Sequence, residues 1–386
     1  MRIAHIITRL ILGGAQENTV LNCEDLLRLH GDDVLLITGP PLGPEGSLLE
    51  RAQGRGVPVE ILPDLRRSVH PWRDAQAYRQ IKHALRAYRP DVVHTHSAKA
   101  GILGRAAAHA LGVPAILHGV HGAPFHDYQS RLAWRLSRDC ERWAARRCHH
   151  LISVADAMTE LMVNAGVAPR EKFTTIYSGM EVEPFLAAPA ERDAVRQELG
   201  YGERHIVIGK IARLFHLKGH EYVLRAARSV VDACPKARFL FVGDGILQAQ
   251  LRTQIRTAGL EEHFQFTGLV PPERIPGLIA AMDIVVHTSL REGLARVLPQ
   301  ALIVGRPVVT YDIDGAREVA IPNHTGYLLP PESVAELSQA LIDLANDAAK
   351  RERYGAEGRR RFTDQFRHEH MTAQTRKLYE RVLASH

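Results

Sequence analysis

Four cysteines in 386 residues, none of them in a C-x-x-C pair, give neither a disulfide framework nor a thiolate zinc site anything to build on. Cys23, Cys140, Cys148 and Cys234 are scattered, which suits a reducing cytosol. There is no apolar run long enough to span a bilayer. The N-terminal MRIAHIITRLILGG is interrupted by Arg9 and runs into a glycine pair instead of a small-residue cleavage site, so it reads as a first strand and not as a signal peptide. Charge of one sign is not concentrated anywhere. Lys+Arg outnumber Asp+Glu by 22 to 19 up to residue 185 and by 27 to 24 beyond it, so each half carries +3 and no basic tail points to nucleic acid. The net +6 suits a polyanionic ligand or an anionic membrane surface. The G-x-G-x-x-G spacing is missing around Gly13-Gly14, which speaks against a dinucleotide enzyme. Fine repeats and low-complexity segments are absent too.

What the chain does have is a regular alternation. Short apolar runs recur at Ile3–Thr8, Val34–Thr38, Pro58–Leu62, Asp91–Thr95, Pro114–Leu117, His150–Ser153 and Lys172–Tyr177, with helical segments between most of them. The pattern breaks over Gly179–Gly200, a polar stretch with Pro184 and Pro189 that reads as a linker. It restarts with Ile206–Ala212, Arg238–Val242, Phe264–Thr267, Asp283–His287 and Pro307–Tyr311. Buried strands separated by helices imply βαβ crossovers and a parallel sheet. The length exceeds what one core usually supports. The expectation is two doubly wound parallel-sheet domains, residues 1–185 and 186–367, facing a cleft where ligands bind at the carboxyl ends of strands. The final polar helix, 368–386, is a surface or bridging element.

Several clusters carry chemistry. Glu292-Gly293 sits at a strand-to-helix turn before the helix-compatible run Arg296–Val304, which stops at Gly305. Backbone N–H groups at such a turn make an anion site, and the adjacent Glu can accept bonds from neutral hydroxyls. Arg213 and Lys218 follow another strand and are either a diphosphate clamp or a pair of ordinary surface cations. His94 and His96 share one face of a strand, as metal ligands without an evident third partner or as a buried or acceptor-facing pair. His118, His121 and His126 cluster, with at least one expected to face the cleft and packing or capping the role of the other two. Asp312-Ile313-Asp314 is a D-x-D, a short pattern that can hold a metal diphosphate but is common without one. The helix predicted over Gln129–Arg147 bears Arg131, Arg135, Arg138, Arg142 and Arg146 as one stripe, with Leu132, Leu136 and Trp143 on another face. The stripe is either the solvated side of a helix packed on the sheet or a contact for an anionic lipid surface or lipid-linked phosphate.

Gly13-Gly14-Ala15-Gln16-Glu17, the HTHSAKAG run from His94, His121-Gly122, Arg213 with Lys218-Gly219, Gly243-Asp244-Gly245 and Thr267-Gly268 occur in one order with Glu292-Gly293 and Pro307-Val308-Val309, followed by Gly315 and Glu318. Together they resemble a family-four retaining glycosyltransferase of the GT-B fold (two Rossmann-like domains), over nearly the whole chain. The resemblance implies a nucleotide-diphosphate-sugar co-substrate held mainly by the second domain and an acceptor bound mainly by the first. It implies transfer with retention and without a required metal or other cofactor. Arg213 and Lys218 would bind the diphosphate, aided by backbone near Gly13 and Gly14 and by the amides from Gly293 and Leu294 through Ala295 and Arg296. Glu292 would hold the donor sugar, His121 would lie at the reacting centre, and main chain near Leu269 would face the base. The C-terminal helix would cross back onto the first domain.

Three positions depart from the family pattern. Gln300 stands eight residues after Glu292 where a second Glu is usual for the ribose hydroxyls, and as a neutral group it would hold them less strongly. Ala295 replaces a usual Gly, and Arg296 replaces an apolar or small residue and could add a cation beside the diphosphate. The overall expectation is a cytoplasmic hexosyl- or N-acetylhexosaminyltransferase, peripheral to the inner membrane face, using UDP- in preference to GDP-sugars and acting on a saccharide or lipid-linked acceptor. A nucleotide-sugar epimerase/hydrolase of the same fold and a non-catalytic nucleotide-binding homologue are the alternatives.

Overall fold

The computed structural model describes residues 1–42 and 46–385. The Pro- and Gly-rich loop Gly39–Gly46 therefore lies partly outside the described residues. The chain divides into two compact units, Met1–Met180 with Gln365–His386, and Glu181–Asp364.

The first unit holds β1 (Arg2–Ile7), β2 (Asp33–Thr38), β3 (Val59–Ile61), β4 (Val92–His96), β5 (Ala115–Val120), β6 (His150–Ser153) and β7 (Phe173–Thr175). They form one sheet in the order β3-β2-β1-β4-β5-β6-β7, every neighbouring pair parallel. The order reverses between β1 and β4, the switch point at which doubly wound sheets open a crevice. Ile3, Ile7, Val34, Leu36, Val92 and Leu117 form the core together with Met371, Leu378, Tyr379 and Val382 of the C-terminal helix, His368–Ala384. Each such buried side chain contributes roughly 1.5–3 kcal/mol. Polar ties add specificity: His368 and Thr372 both reach Asp25 at 2.8 Å on the Gly14–Arg28 helix.

The second unit holds β8 (Ile206–Ile211), β9 (Ala237–Val242), β10 (Phe264–Gly268), β11 (Ile284–His287), β12 (Val308–Tyr311) and β13 (Gly326–Leu329). Their order is β10-β9-β8-β11-β12-β13, again all parallel, with the switch between β8 and β11. Ile208, Val223, Phe239, Phe241, Ile284 and Leu341 are among its core residues.

Two sequence expectations need correction. The predicted linker is helical over Glu183–Ala187 and Arg192–Glu198, and from Glu181 on it belongs to the second unit. Arg192 and Arg196 bind Asp283 at 2.7 and 3.1 Å beside the start of β11, and Pro184 occupies a first-turn position, where its missing N–H costs nothing. The second correction concerns the Arg131–Ala145 helix, capped by the Ser130 hydroxyl on the Ala133 N–H. It buries Glu141, Ala144 and Ala145, while Leu132, Leu136 and Trp143 stay exposed. No helix among the described residues is long and apolar enough to cross a membrane.

Candidate active site

In the second unit the chemistry gathers where β8 and β11 end. Lys218 and Gly219 lie on the loop after β8, immediately before the His220–Ala233 helix. Gly219 is in the left-handed region (φ 69°), and a Cβ there would sit 1.9 Å from the Thr288 carbonyl oxygen, so only glycine lets this turn lie against the loop after β11. The Thr288 hydroxyl donates to the Gly219 carbonyl at 2.6 Å and accepts from Lys210 Nζ at 3.0 Å. Leu290 N–H donates to the Leu217 carbonyl at 2.8 Å. These bonds bring Lys218 Nζ to 2.5 Å from Glu292 Oε1.

Glu292 is held on several sides. Its backbone N–H donates to Asp314 Oδ2 at 2.7 Å, and Gly315 N–H donates to the Gly293 carbonyl at 3.0 Å. The buried His287 lies 3.4 Å from the same carboxylate oxygen as Lys218. Burial opposes ionisation of Glu292, but His287 and the Lys218 ammonium outweigh it and hold the carboxyl below its ordinary range. His287 is pushed down by burial, against the opposing pull of Glu292. The D-x-D pair is engaged in turn-making: Asp314 holds the Glu292 loop, and Asp312 is bridged by Arg317 at 2.9 and 3.0 Å.

Gly293 and Ala295 are buried, and Leu294 and Arg296 half-buried, in the run that leads into the Val297–Val304 helix; Arg296 is its N-terminal cap residue. Gln300 is half-buried on that helix, bonded through its N–H to the Arg296 carbonyl. Arg213 is exposed after β8 with its guanidinium 5.1 Å from the Phe215 ring centroid. Leu269 is exposed just after β10, and its neighbour Gly268 accepts from Gly243 N–H at 3.0 Å. The structure thus joins Lys218 and Glu292, which the resemblance gives separate roles, and adds His287, Thr288 and Lys210. Lys210 escapes a sequence reading because a single lysine inside an apolar strand looks like an edge residue. It is fully buried, and burial, then the Lys218 charge, pushes its ammonium down to about 7.

In the first unit, Gly13 and Gly14 are exposed at the start of the Gly14–Arg28 helix, after β1. His121 follows β5, and its Nε2 lies 3.1 Å from His96 Nδ1; His96 Nε2 in turn lies 3.0 Å from His5 Nδ1. His94 Nδ1 is 2.6 Å from the Tyr379 hydroxyl of the C-terminal helix. The third histidine that His94 and His96 lacked in the sequence is therefore His5, brought opposite His94 by the β1–β4 register. Gly119 makes room for the group: a Cβ there would lie 3.0 Å from His96 Nδ1 and 3.2 Å from both His121 Nε2 and His94 Nε2. His118 points to the other face, to Thr95 Oγ1 at 2.9 Å, near the buried Arg105–Glu141 pair. His126 lies in the following loop, its backbone N–H donating to Gln129.

His5, His94 and His96 are the residues among those described that could hold a metal by proximity, with ligand atoms within 4.8 Å of one another. Burial pushes the His5 imidazole down to about 3 and the other two well below their ordinary value, so all three are neutral near pH 7. A divalent charge there would have no carboxylate in the group to balance it.

Two doubly wound parallel-sheet units, the second with a cation–carboxylate pair at its switch point, are therefore the frame of the candidate site. Residues 191–361 match the family described as glycosyl transferases group 1, and residues 13–179 match the glycosyl transferase 4-like domain. The chain is similar to the UDP-Gal:alpha-D-GlcNAc-diphosphoundecaprenol alpha-1,3-galactosyltransferase of Escherichia coli, at 27% identity over 90% of this chain and 88% of that protein. It is 30% identical to the 2-deoxystreptamine glucosyltransferase of Streptomyces kanamyceticus over 73% of this chain and 74% of that one. The crystal structure of Anabaena HepE in complex with UDP shares the fold, with a TM-score of 0.80 at 23% identity, covering 99% of this chain and 100% of that one. The chain belongs to the glycosyl transferases group 1 family and is an enzyme that transfers sugar from nucleotide sugars.

Proposed function

We propose that the protein transfers a hexose or N-acetylhexosamine, with retention of configuration and without a required metal, from a UDP-sugar to an alcohol of a lipid-linked saccharide at the inner face of the cell membrane. The observation that carries the donor side is the Lys218–Glu292 pair at the β8–β11 switch, beside the N-terminus of the Val297–Val304 helix. Lys218, Arg213 and the amides of Gly293 to Arg296 take the diphosphate. Glu292 turns to the sugar hydroxyls, main chain at Leu269 meets the base and Gln300 the ribose. As the glycosidic bond breaks, charge grows on the leaving diphosphate, and preset cations and helix amides stabilise it without reorganising. His121, oriented by His96 at 3.1 Å, is the reactive side chain of the first unit in this reading. The choice of UDP and of a lipid-diphosphate saccharide is supported by the named substrates of the Escherichia coli relative and by the UDP bound to HepE.

The test is transfer from labelled UDP-sugars to extracted lipid-linked saccharides in EDTA, with the product anomer read by nuclear magnetic resonance. An α-linked product from an α-linked donor supports the reading, and an inverted product refutes retention. Free sugar released equally fast with and without acceptor would make the enzyme a hydrolase or epimerase. UDP binding without turnover on any acceptor would make it a non-catalytic homologue.

A further inference from the structure

The Arg131–Ala145 helix wears its large apolar side chains on the outside. Leu132 is 78% exposed, Leu136 63% and Trp143 43%. At 100° per residue these three fall within about 40° of one another, on the side opposite the buried Glu141, Ala144 and Ala145. Arg131, Arg135, Arg142 and Arg146, all exposed, occupy the adjoining sector of about 60°. On the other flank the Arg147 guanidinium lies 3.7 Å from the Trp143 ring centroid. Within the helix the one exposed acid is Asp139, and it is bridged by Arg138 at 2.7 Å. The other acid, Glu141, is buried against Arg105 at 2.7 Å.

We propose that this face docks the first unit onto an anionic bilayer, with Leu132, Leu136 and Trp143 entering the headgroup–acyl boundary and the arginines binding lipid phosphates. Charge complementarity selects the occupant. An apolar stripe rimmed by unopposed arginines matches the interfacial pattern of an amphipathic helix, whereas an interface with a second copy would bring two sets of these arginines together. Docking goes beyond the transfer reading and does not rest on it, since no donor or acceptor enters the argument.

The experiment is co-sedimentation of the full chain with vesicles of phosphatidylcholine alone or mixed with phosphatidylglycerol, combined with tryptophan emission. The wild type is expected to bind only the mixed vesicles and to shift its emission to the blue, a shift that Trp143→Phe removes. Each arginine changed to Gln should weaken binding about fivefold, and all four at positions 131, 135, 142 and 146 by more than a hundredfold. Ser at positions 132, 136 and 143 together should abolish binding while thermal stabilisation by UDP, a measure of fold and donor site, stays unchanged. Equal binding to both vesicle types, no binding to either, or undiminished binding of the triple variant would overturn the proposal. So would concentration-dependent dimerisation of the wild type that the triple variant loses, which would make the face an interface between copies.

Discussion

Replacing Lys210 by Met tests whether a charge is hidden beneath the proposed donor site. Lys210 is fully buried on β8 and donates to Thr288 at 3.0 Å. Its ammonium titrates at about 7 in the folded protein against an ordinary value of 10.5, first because of burial and then because of Lys218. Between those two values the unfolded chain binds more protons than the folded one, so stability rises with pH across about 7 to 10.5 and is flat below. At 1.36 kcal/mol per pH unit the charge costs the fold about 4 kcal/mol near pH 7, an upper figure. Losing the Thr288 bond returns about 1 kcal/mol. Lys210→Met should therefore stabilise the second unit at pH 7 by up to about 3 kcal/mol, and the gain should shrink as the pH rises towards 10. Urea unfolding by circular dichroism reads both units, while tryptophan emission reads only the first, because Trp72, Trp134 and Trp143 all lie there. The difference between variant and wild type isolates Lys210 from other groups that titrate in the window. A difference that does not change between about pH 7 and 9.5 would refute the reasoning.

Three further outcomes follow from single contacts. Glu292→Gln removes the anion that holds Lys218, so kcat/KM should fall roughly a hundredfold or more while UDP, which lacks the sugar, binds at least as tightly by calorimetry; weaker UDP binding would deny the proposed division of roles. Arg296→Ala should raise the donor KM about fivefold or more, with Arg256→Ala as an exposed control, and equal KM values would remove Arg296 from the diphosphate site. Gly119→Ala presses a methyl into His94, His96 and His121 and should destabilise the first unit by about 1–3 kcal/mol in tryptophan-monitored unfolding, with lower kcat; a neutral effect would mean that the histidines are free to move.

The alternation of apolar runs is enough to read every strand but β13, because parallel strands buried on two faces leave uninterrupted apolar signatures. β13 is not legible: Gly326–Leu329 is four residues at a sheet edge, preceded by an Asn-His-Thr sequence that reads as a turn. The stretch 179–200 reads as a linker for a related reason, since prolines in first turns look like breaks. In the Arg131–Ala145 helix, periodicity located two faces but not which one packs, and the inward face turned out to be small residues with one buried Glu141 salt bridge. Lys218 and Glu292 were legible as motif residues, yet their pairing depends on β8 and β11 being sheet neighbours across a chain separation of 74 residues. His5 is the same case: nothing local to it announces His94, and only the β1–β4 register does.

Lys210 also bears on how the proposed donor site handles charge. The groups that act electrostatically on it are Lys218, Glu292 and Glu221, and it acts in turn on His220 and His287. Lys218 pairs with Glu292 at 2.5 Å, and the Lys210 ammonium is pushed down to about 7. A diphosphate at Lys218 would bring negative charge over this cluster and raise the Lys210 value above 7. The complex would then hold more protons than the free protein just above pH 7, so affinity should increase as the pH falls through that range, approaching about tenfold per pH unit at the limit of one proton. Measuring above about pH 7 avoids the ionisation of the terminal phosphate itself, near 6. Calorimetry of UDP binding in buffers of different ionisation enthalpy should show uptake of a fraction of a proton, and Lys210→Met should abolish both the uptake and the slope. Proton uptake that persists in the variant would place the titrating group elsewhere in the site.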